Sequence, residues 1–105
     1  MNTQALVEFK TGDAGTLARV KTESIADDPD IFAFNRELQA YVGSHPGASL
    51  HLDLSHVEFF SSSVLADLLA VQETLLESNG ALHLHGIHGN VRTILKLTGL
   101  GKKFH

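Results

Sequence analysis

The sequence predicts an α/β fold, an open two-layer sandwich in which a mixed four-stranded sheet carries its helices mainly on one face. Three observations support this prediction. Short segments of alternating apolar and polar residues are interleaved with longer segments whose apolar residues recur every three or four positions. Helices that connect consecutive strands imply parallel pairing and right-handed crossovers. The strands alternate instead of being apolar throughout, so we expect helices to cover only one face of the sheet.

Composition excludes several classes of protein. The 105 residues, 43% hydrophobic and 19% charged, are typical of one globular domain, which we predict to span residues 1–105. Without cysteine there is no disulfide or thiolate chemistry. A net charge of −4, with Lys102-Lys103 as the only basic pair, argues against a nucleic-acid partner. No apolar run is long enough to span a bilayer and no signal peptide is evident, so we predict a cytoplasmic protein without membrane insertion.

The N-terminal half is expected to form a hairpin and a helix. Strands over 5–10 and 16–21 flank a glycine-containing turn at 11–15, and Asp30 is the predicted N-cap of the helix that follows. Proline and glycine end this helix within 43–47. Its predicted apolar positions are Ile31, Phe34, Leu38, Tyr41 and Val42.

The second half is expected to continue as strand, helix, strand and helix. A strand over 48–54 leads into a helix from Val64 to Asn79, and Gly80 is predicted to end it in a left-handed conformation. A strand over 81–85 precedes a last helix that Asn90 caps. The predicted apolar positions are Leu65, Leu68, Leu69, Leu75 and Leu76 in the first of these helices and Val91, Ile94, Leu95 and Leu97 in the second, which Gly99 ends.

Two groups of polar residues are candidates for function. Ser61, Ser62 and Ser63 stand where the long helix begins, and serine hydroxyls are common helix caps. His51, His83 and His85 fall on the polar face of the sheet. We expect these histidines to face solvent and to hold no metal, although three imidazoles with Asp53 as a fourth ligand would suit zinc.

Catalysis is not predicted. A serine nucleophile needs a positioned base, and only His56 lies near the serines in sequence. Because there is also no glycine-rich phosphate loop, we predict neither an enzyme nor a bound cofactor.

The second half of the chain resembles the STAS domain, the fold of bacterial anti-sigma-factor antagonists, over roughly residues 48–104. The family shows an apolar strand, a segment that ends in an aspartate, a serine, a second hydroxyl residue and a glycine, a helix, a strand, and a final helix that ends in Thr-Gly-Leu or Ser-Gly-Leu. The matching residues are Val57, Phe59, Phe60, Ser62, Ser63, Leu65, Val91, Leu97, Thr98, Gly99 and Leu100.

The resemblance implies a protein-interaction regulator. Its partner would be an anti-sigma factor or a serine kinase, bound through Ser61, Ser62, Ser63, Val64 and Asp67. Ser62 would be the residue that the kinase phosphorylates, with Ser63 as the next acceptor.

Two family residues are replaced, since Ser61 stands at the aspartate and Val64 at the glycine. Both changes favour an alternative, in which the chain is a non-phosphorylated scaffold or a subunit of a stress-signalling or lipid-transport complex.

Overall fold

The first two strands form the predicted hairpin. A computed structural model describes residues 5–99; residues 1–4 and 100–105, which include Leu100 of the family motif and the Lys102-Lys103 pair, lie outside this range. β1 (Val7–Gly12) and β2 (Gly15–Val20) pair antiparallel. Only two residues connect them, so both strands extend further into the predicted turn than the sequence indicated.

The centre of the main sheet is β4 (Ser49–Asp53), which is parallel to β2 on one side and to β6 (Ala81–His85) on the other. The strand order is β1-β2-β4-β6, which confirms the mixed four-stranded sheet.

The apolar face of this sheet is covered by helices. α1 (Asp28–Ser44) and α2 (Ser62–Glu77) pack against each other and against the sheet. α3 (Gly89–Thr98) packs against a short strand at the edge of the domain. Within residues 5–99, no helix is both long and apolar enough to cross a bilayer. The fully buried core includes Phe34, Leu38, Leu50, Leu52, Leu54, Phe60, Leu68, Leu75 and Leu82.

A second, two-stranded sheet was not predicted. β3 (Ser24–Ile25) pairs in parallel with β5 (Phe59–Phe60). Two-residue strands contain too few positions to show an alternating pattern, so periodicity could not reveal them. This small sheet holds the segment that leads into α2.

Three predicted helix starts are wrong. Asp27, not Asp30, caps α1, and its carboxylate accepts a hydrogen bond from the backbone N–H of Asp30 at 3.3 Å. α2 begins at Ser62, two residues before the predicted start. α3 has His88 at its N-cap position, and Asn90 lies inside the helix with its side chain bonded elsewhere.

Two predicted apolar positions are also wrong. Leu76 is 53% exposed and Leu97 is 81% exposed, whereas Val71, which the sequence analysis omitted, is fully buried. Gln72 is buried, and within the described residues its side-chain oxygen has no hydrogen-bond partner.

The end of α2 also differs from the prediction. Asn79, not Gly80, has the left-handed backbone, with φ of 67°. Gly80 is needed for a different reason, because a β-carbon there would lie 2.3 Å from the carbonyl oxygen of Ala48. The close approach of these two backbones brings the chain from α2 into β6, and Ala81 donates a hydrogen bond to the same carbonyl.

This close approach gives a testable prediction. We expect Gly80→Ala to destabilise the protein by about 1–3 kcal/mol, because the added methyl group would overlap backbone atoms that cannot move aside cheaply. Gly43→Ala is the matched control. Gly43 lies in α1, where a β-carbon meets nothing within 4 Å, so alanine should stabilise by about 0.5–1 kcal/mol. Urea denaturation measures both, and equal effects of the two substitutions would contradict this reading.

Candidate functional site

The serine cluster, Ser61 to Ser63, begins α2 at the surface. Ser61 is the N-cap residue and is half-buried, while Ser62 and Ser63 are exposed. The Ser61 hydroxyl does not cap the helix as predicted; instead it shares a hydrogen bond with the Ser63 hydroxyl at 2.8 Å. The first turn of α2 therefore has no side-chain cap and no acidic residue.

Backbone hydrogen bonds from one side fix the position of this cluster. The carbonyl of Glu23 accepts from the N–H groups of Glu58 and Phe59, at 2.8 and 3.2 Å. The carbonyl of Ile25 accepts from the N–H of Ser61 at 3.0 Å. These hydrogen bonds join β3 and the residue before it to β5 and its two flanking residues. They fix the direction in which the chain enters α2.

The start of α3 binds the same segment from the other side. The Asn90 side-chain oxygen accepts from the N–H of Phe60 at 3.2 Å, and its backbone N–H donates to the carbonyl of Glu58 at 3.2 Å. The His88 ring donates to the carbonyl of Ser55 at 2.8 Å. Sequence reasoning assigned Asn90 to a cap; its contacts show that it joins α3 to β5.

Phe59 is a surface residue that the sequence analysis did not select. Neighbouring residues of a strand face opposite sides, so only one of the two phenylalanines of β5 can enter the core. Phe60 is fully buried and Phe59 is 42% exposed. The Phe-Phe pair was itself the signal, since adjacent aromatic residues in a strand place one ring at the surface. An apolar ring thus lies two residues before the serine cluster.

Val64 does not lie on this surface. Its side chain is fully buried, so the prediction that it contacts a partner is corrected. A valine in the first turn of a helix that lies on a sheet is directed inward by the same periodicity that buries Leu65 and Leu68.

Asp67 is a half-buried carboxylate one turn beyond Ser63. Desolvation by burial raises the pKa of its carboxyl above the ordinary value of 3.8. The ionised form of this side chain is therefore less favourable in the folded protein than in water. A residue that is unfavourable for folding alone, beside an exposed hydroxyl, is a candidate for contact with another molecule.

The predicted histidine face is present on the open side of the sheet. His83 on β6 lies opposite His51 on β4, with ring centroids 4.5 Å apart, and His51 also contacts His85 through a ring nitrogen pair at 2.9 Å. Among residues 5–99, no group of three or more ligands is arranged to hold a metal ion.

Asp53 lies beside this histidine face but is engaged with other residues. Burial would raise the pKa of its carboxyl, but hydrogen bonds from Ser55 and the charges of Arg19 and His56 outweigh burial and lower it. Its carboxylate accepts the backbone N–H of Ser55 at 2.9 Å.

Comparison with known proteins identifies the family. Residues 13–104 match the family model described as "Mlab, STAS domain". The chain belongs to the STAS domain family. This STAS domain is also similar in structure to an anti-sigma factor antagonist from Mycobacterium paratuberculosis, with a TM-score of 0.79 and 30% identity over 93% of this chain and 80% of that one.

A candidate anti-sigma factor antagonist from Thermotoga maritima is more distant in sequence. It has a TM-score of 0.76 and 18% identity, over 93% of this STAS domain and 82% of that chain, and shows the shared fold. No curated protein sequence matches the chain.

The contact between α3 and β5 can be tested through its amide. We expect Asn90→Ala to lower the free energy of unfolding by about 1–2 kcal/mol, because the N–H of Phe60 loses its acceptor. Asn90→Asp keeps an acceptor oxygen and should lose less. Urea denaturation of both variants checks this, and an equal loss in the two would show that the hydrogen bond is unimportant.

The Asp67 carboxyl predicts a pH-dependent gain in stability. Because its folded pKa lies above the unfolded value, the desolvation penalty is present at pH 7 and disappears once the pH falls below the ordinary value of 3.8. Asp67→Asn should therefore stabilise the protein at neutral pH, by no more than about 0.5 kcal/mol because water screens this partly exposed carboxylate, and by less at about pH 3.

Glu73→Gln is the control for the Asp67 substitution, since it removes one negative charge from an exposed position of α2. Thermal or urea unfolding at the two pH values measures the effect. A gain for Asp67→Asn that does not depend on pH would contradict the assigned cause.

Proposed function

We propose that this STAS domain is a protein-interaction regulator that binds an anti-sigma factor or a serine kinase through the serine cluster, and that phosphorylation of Ser62 releases the partner. The observation that carries the proposal is the exposure of Ser62 on the first turn of α2, a helix whose other face is buried against the sheet. The relative from Mycobacterium paratuberculosis, 30% identical, supports an anti-sigma factor as the partner. The proposed role needs neither catalysis nor a cofactor and is exercised in the cytoplasm.

The surroundings of the two exposed serines favour Ser62 over Ser63 as the acceptor. The Ser63 hydroxyl is already bonded to that of Ser61, and Asp67 follows it by four residues, on the same face of α2. A phosphate on Ser63 would meet the charge of that carboxylate. Within residues 5–99 the Ser62 hydroxyl has no hydrogen bond, so its modification breaks no contact.

The start of α2 suits a phosphate chemically. A phosphoserine there lies near the unpaired N–H groups and the positive end of the helix dipole, with no acidic residue in the first turn to oppose it. It also adds about −1.5 to −2 of charge to the surface at pH 7. The domain keeps its fold, and the added negative charge on the contact surface disfavours binding of the partner.

The proposed contact surface consists of Phe59, Ser61, Ser62, Ser63 and Asp67. Phe59 supplies an apolar ring, and partly buried aromatic residues are frequent anchors in protein interfaces. A hydrogen-bond donor from the partner would offset the desolvation of the Asp67 carboxylate. The surface thus offers an apolar ring and a carboxylate that lacks a hydrogen-bond donor within the part of the chain that the structure describes. This combination favours a protein partner over a small molecule.

A second candidate function is constitutive binding as a scaffold or as a subunit of a lipid-transport or stress-signalling complex. Ser61 in place of the family's aspartate removes a negative charge beside the acceptor, and Val64 fills the glycine position with a buried side chain. The match to the MlaB-type model supports this candidate. In it, the same surface binds a partner and no serine is modified.

Phosphorylation distinguishes the two functions. We expect a serine kinase that binds the protein to place one phosphate on Ser62 in the presence of ATP, located by mass spectrometry. Ser62→Asp should weaken binding of that partner at least tenfold, about 1.4 kcal/mol, because it places charge on the contact surface. Ser62→Ala should bind normally and accept no phosphate, as measured by calorimetry and mass spectrometry.

Ser63→Ala is the matched control, because it removes the neighbouring exposed hydroxyl and should leave phosphorylation intact. Phosphate found on Ser63 would assign the acceptor to that residue instead. Binding that is unchanged in Ser62→Asp, together with an absence of phosphate, would establish constitutive binding.

A further inference from the structure

The histidine face has a geometry that the proposed function does not use. His51 lies between two other imidazoles, stacked on His83 at 4.5 Å with 12° between the ring planes and tilted by 30° against His85 at 5.1 Å. Its Nδ1 and the Nε2 of His85 are 2.9 Å apart, and its Nε2 is 3.4 Å from the Ser49 hydroxyl. Both ring nitrogens of His51 are thus within hydrogen-bonding distance of a neighbouring side chain.

The distance between the two ring nitrogens limits how many protons the pair can hold. A hydrogen bond between imidazole nitrogens needs one N–H donor and one bare acceptor. Two neutral rings satisfy this, and so does one neutral ring with one imidazolium. When both rings are protonated, both facing nitrogens carry hydrogen, and the bond cannot form.

Only one of the two rings has room to move. A β-carbon at Gly15 would lie 3.4 Å from the His51 ring and 2.5 Å from the Ser49 carbonyl oxygen, so the hairpin passes close to His51 on one side. His83 covers His51 on another side. His85 is exposed at the end of β6, so it is the ring that would turn outward.

Charged groups around the cluster do not compensate for three imidazolium ions. The hairpin contributes Lys10 and Asp13, β2 contributes Arg19, and β4 contributes Asp53, which is engaged with Ser55 and Arg19. α1 and α2 cover the opposite face of the sheet. The other charged side chains on this face are Glu8 on β1, Lys21 just after β2, and His56 beside Asp53. Cations and carboxylates are therefore nearly balanced before any histidine is protonated.

We propose that His51 and His85 form a proton-operated clasp on the open face of the sheet, closed while the pair shares at most one added proton and opened by the second. The clasp borders a cleft of about 560 Å³ between the turn of the hairpin and the rings of His51 and His85. Outward rotation of the His85 ring changes one wall of this cleft and adds positive charge there. The shape and charge of the open face then depend on pH in the range where histidines titrate.

Nuclear magnetic resonance of the ring nitrogens tests the clasp in the intact protein. Between pH 8 and 4, we expect the ring-nitrogen signals of His51 and His85 to change in two steps, as those of coupled groups do. The nuclear Overhauser contact between the two rings should persist through the first step and vanish in the second. In His85→Asn, His51 should titrate in a single step.

His83→Asn is the matched control, because it removes the stacked ring and keeps the nitrogen pair, so two steps should remain. His56→Asn controls for the loss of a histidine elsewhere on the surface and should also leave two steps. Single-step titration of both His51 and His85 in the unmodified protein, with the ring contact retained at low pH, would overturn the proposal. That measurement needs no variant, so a variant that folds poorly leaves the test intact.

Discussion

The parallel pairing of β4 with strands on both sides is the constraint on which the structure depends. β4 is the only strand of the main sheet, within the described residues, that is parallel to both neighbours. Leu50 and Leu52 enter the core from it, and His51 and Asp53 emerge on the other face. A shift of one residue would exchange the two faces, so burial of the leucines determines the register of the whole sheet.

The same pairing places the candidate site. The segment after β4 and the segment after β6 both leave the sheet at the carboxyl ends of neighbouring parallel strands, so they meet at one edge. One segment becomes β5 and α2, and the other becomes the start of α3. Asn90 can therefore bind Phe60, thirty residues away in sequence, and the serine cluster begins its helix between two supports.

The order of the longer elements, the parallel crossovers and the covered face could all be predicted because they depend on periodicity over five residues or more. The helix starts could not be assigned in the same way. Asp27, Asp28 and Asp30 are all chemically competent caps, and the choice among them depends on where the chain leaves β3. The role of Asn90 depends on contact with a distant strand, which no local pattern encodes.

The serine cluster was located through the family motif, and its surroundings were only partly predictable. Val64 was assigned to the contact surface from its place in the motif, whereas helical periodicity puts it on the same face as Leu68 and buries it in the core. Phe59 was not selected, because its exposure follows from the pairing of β5, and that two-residue strand was not predicted. The position of the candidate site could therefore be predicted from the sequence, but the residues that surround it on the surface could not.

The opposite orientations of Phe59 and Phe60 let the surface change independently of the core. Phe60 is sealed in the interior and anchors the strand that leads into α2, whereas Phe59 is 42% exposed. Ser62 and Ser63 are exposed and add no buried side chain to the core. Substitutions at these two serines therefore need no compensating change inside the domain, so one fold can carry many different surface sequences at this point.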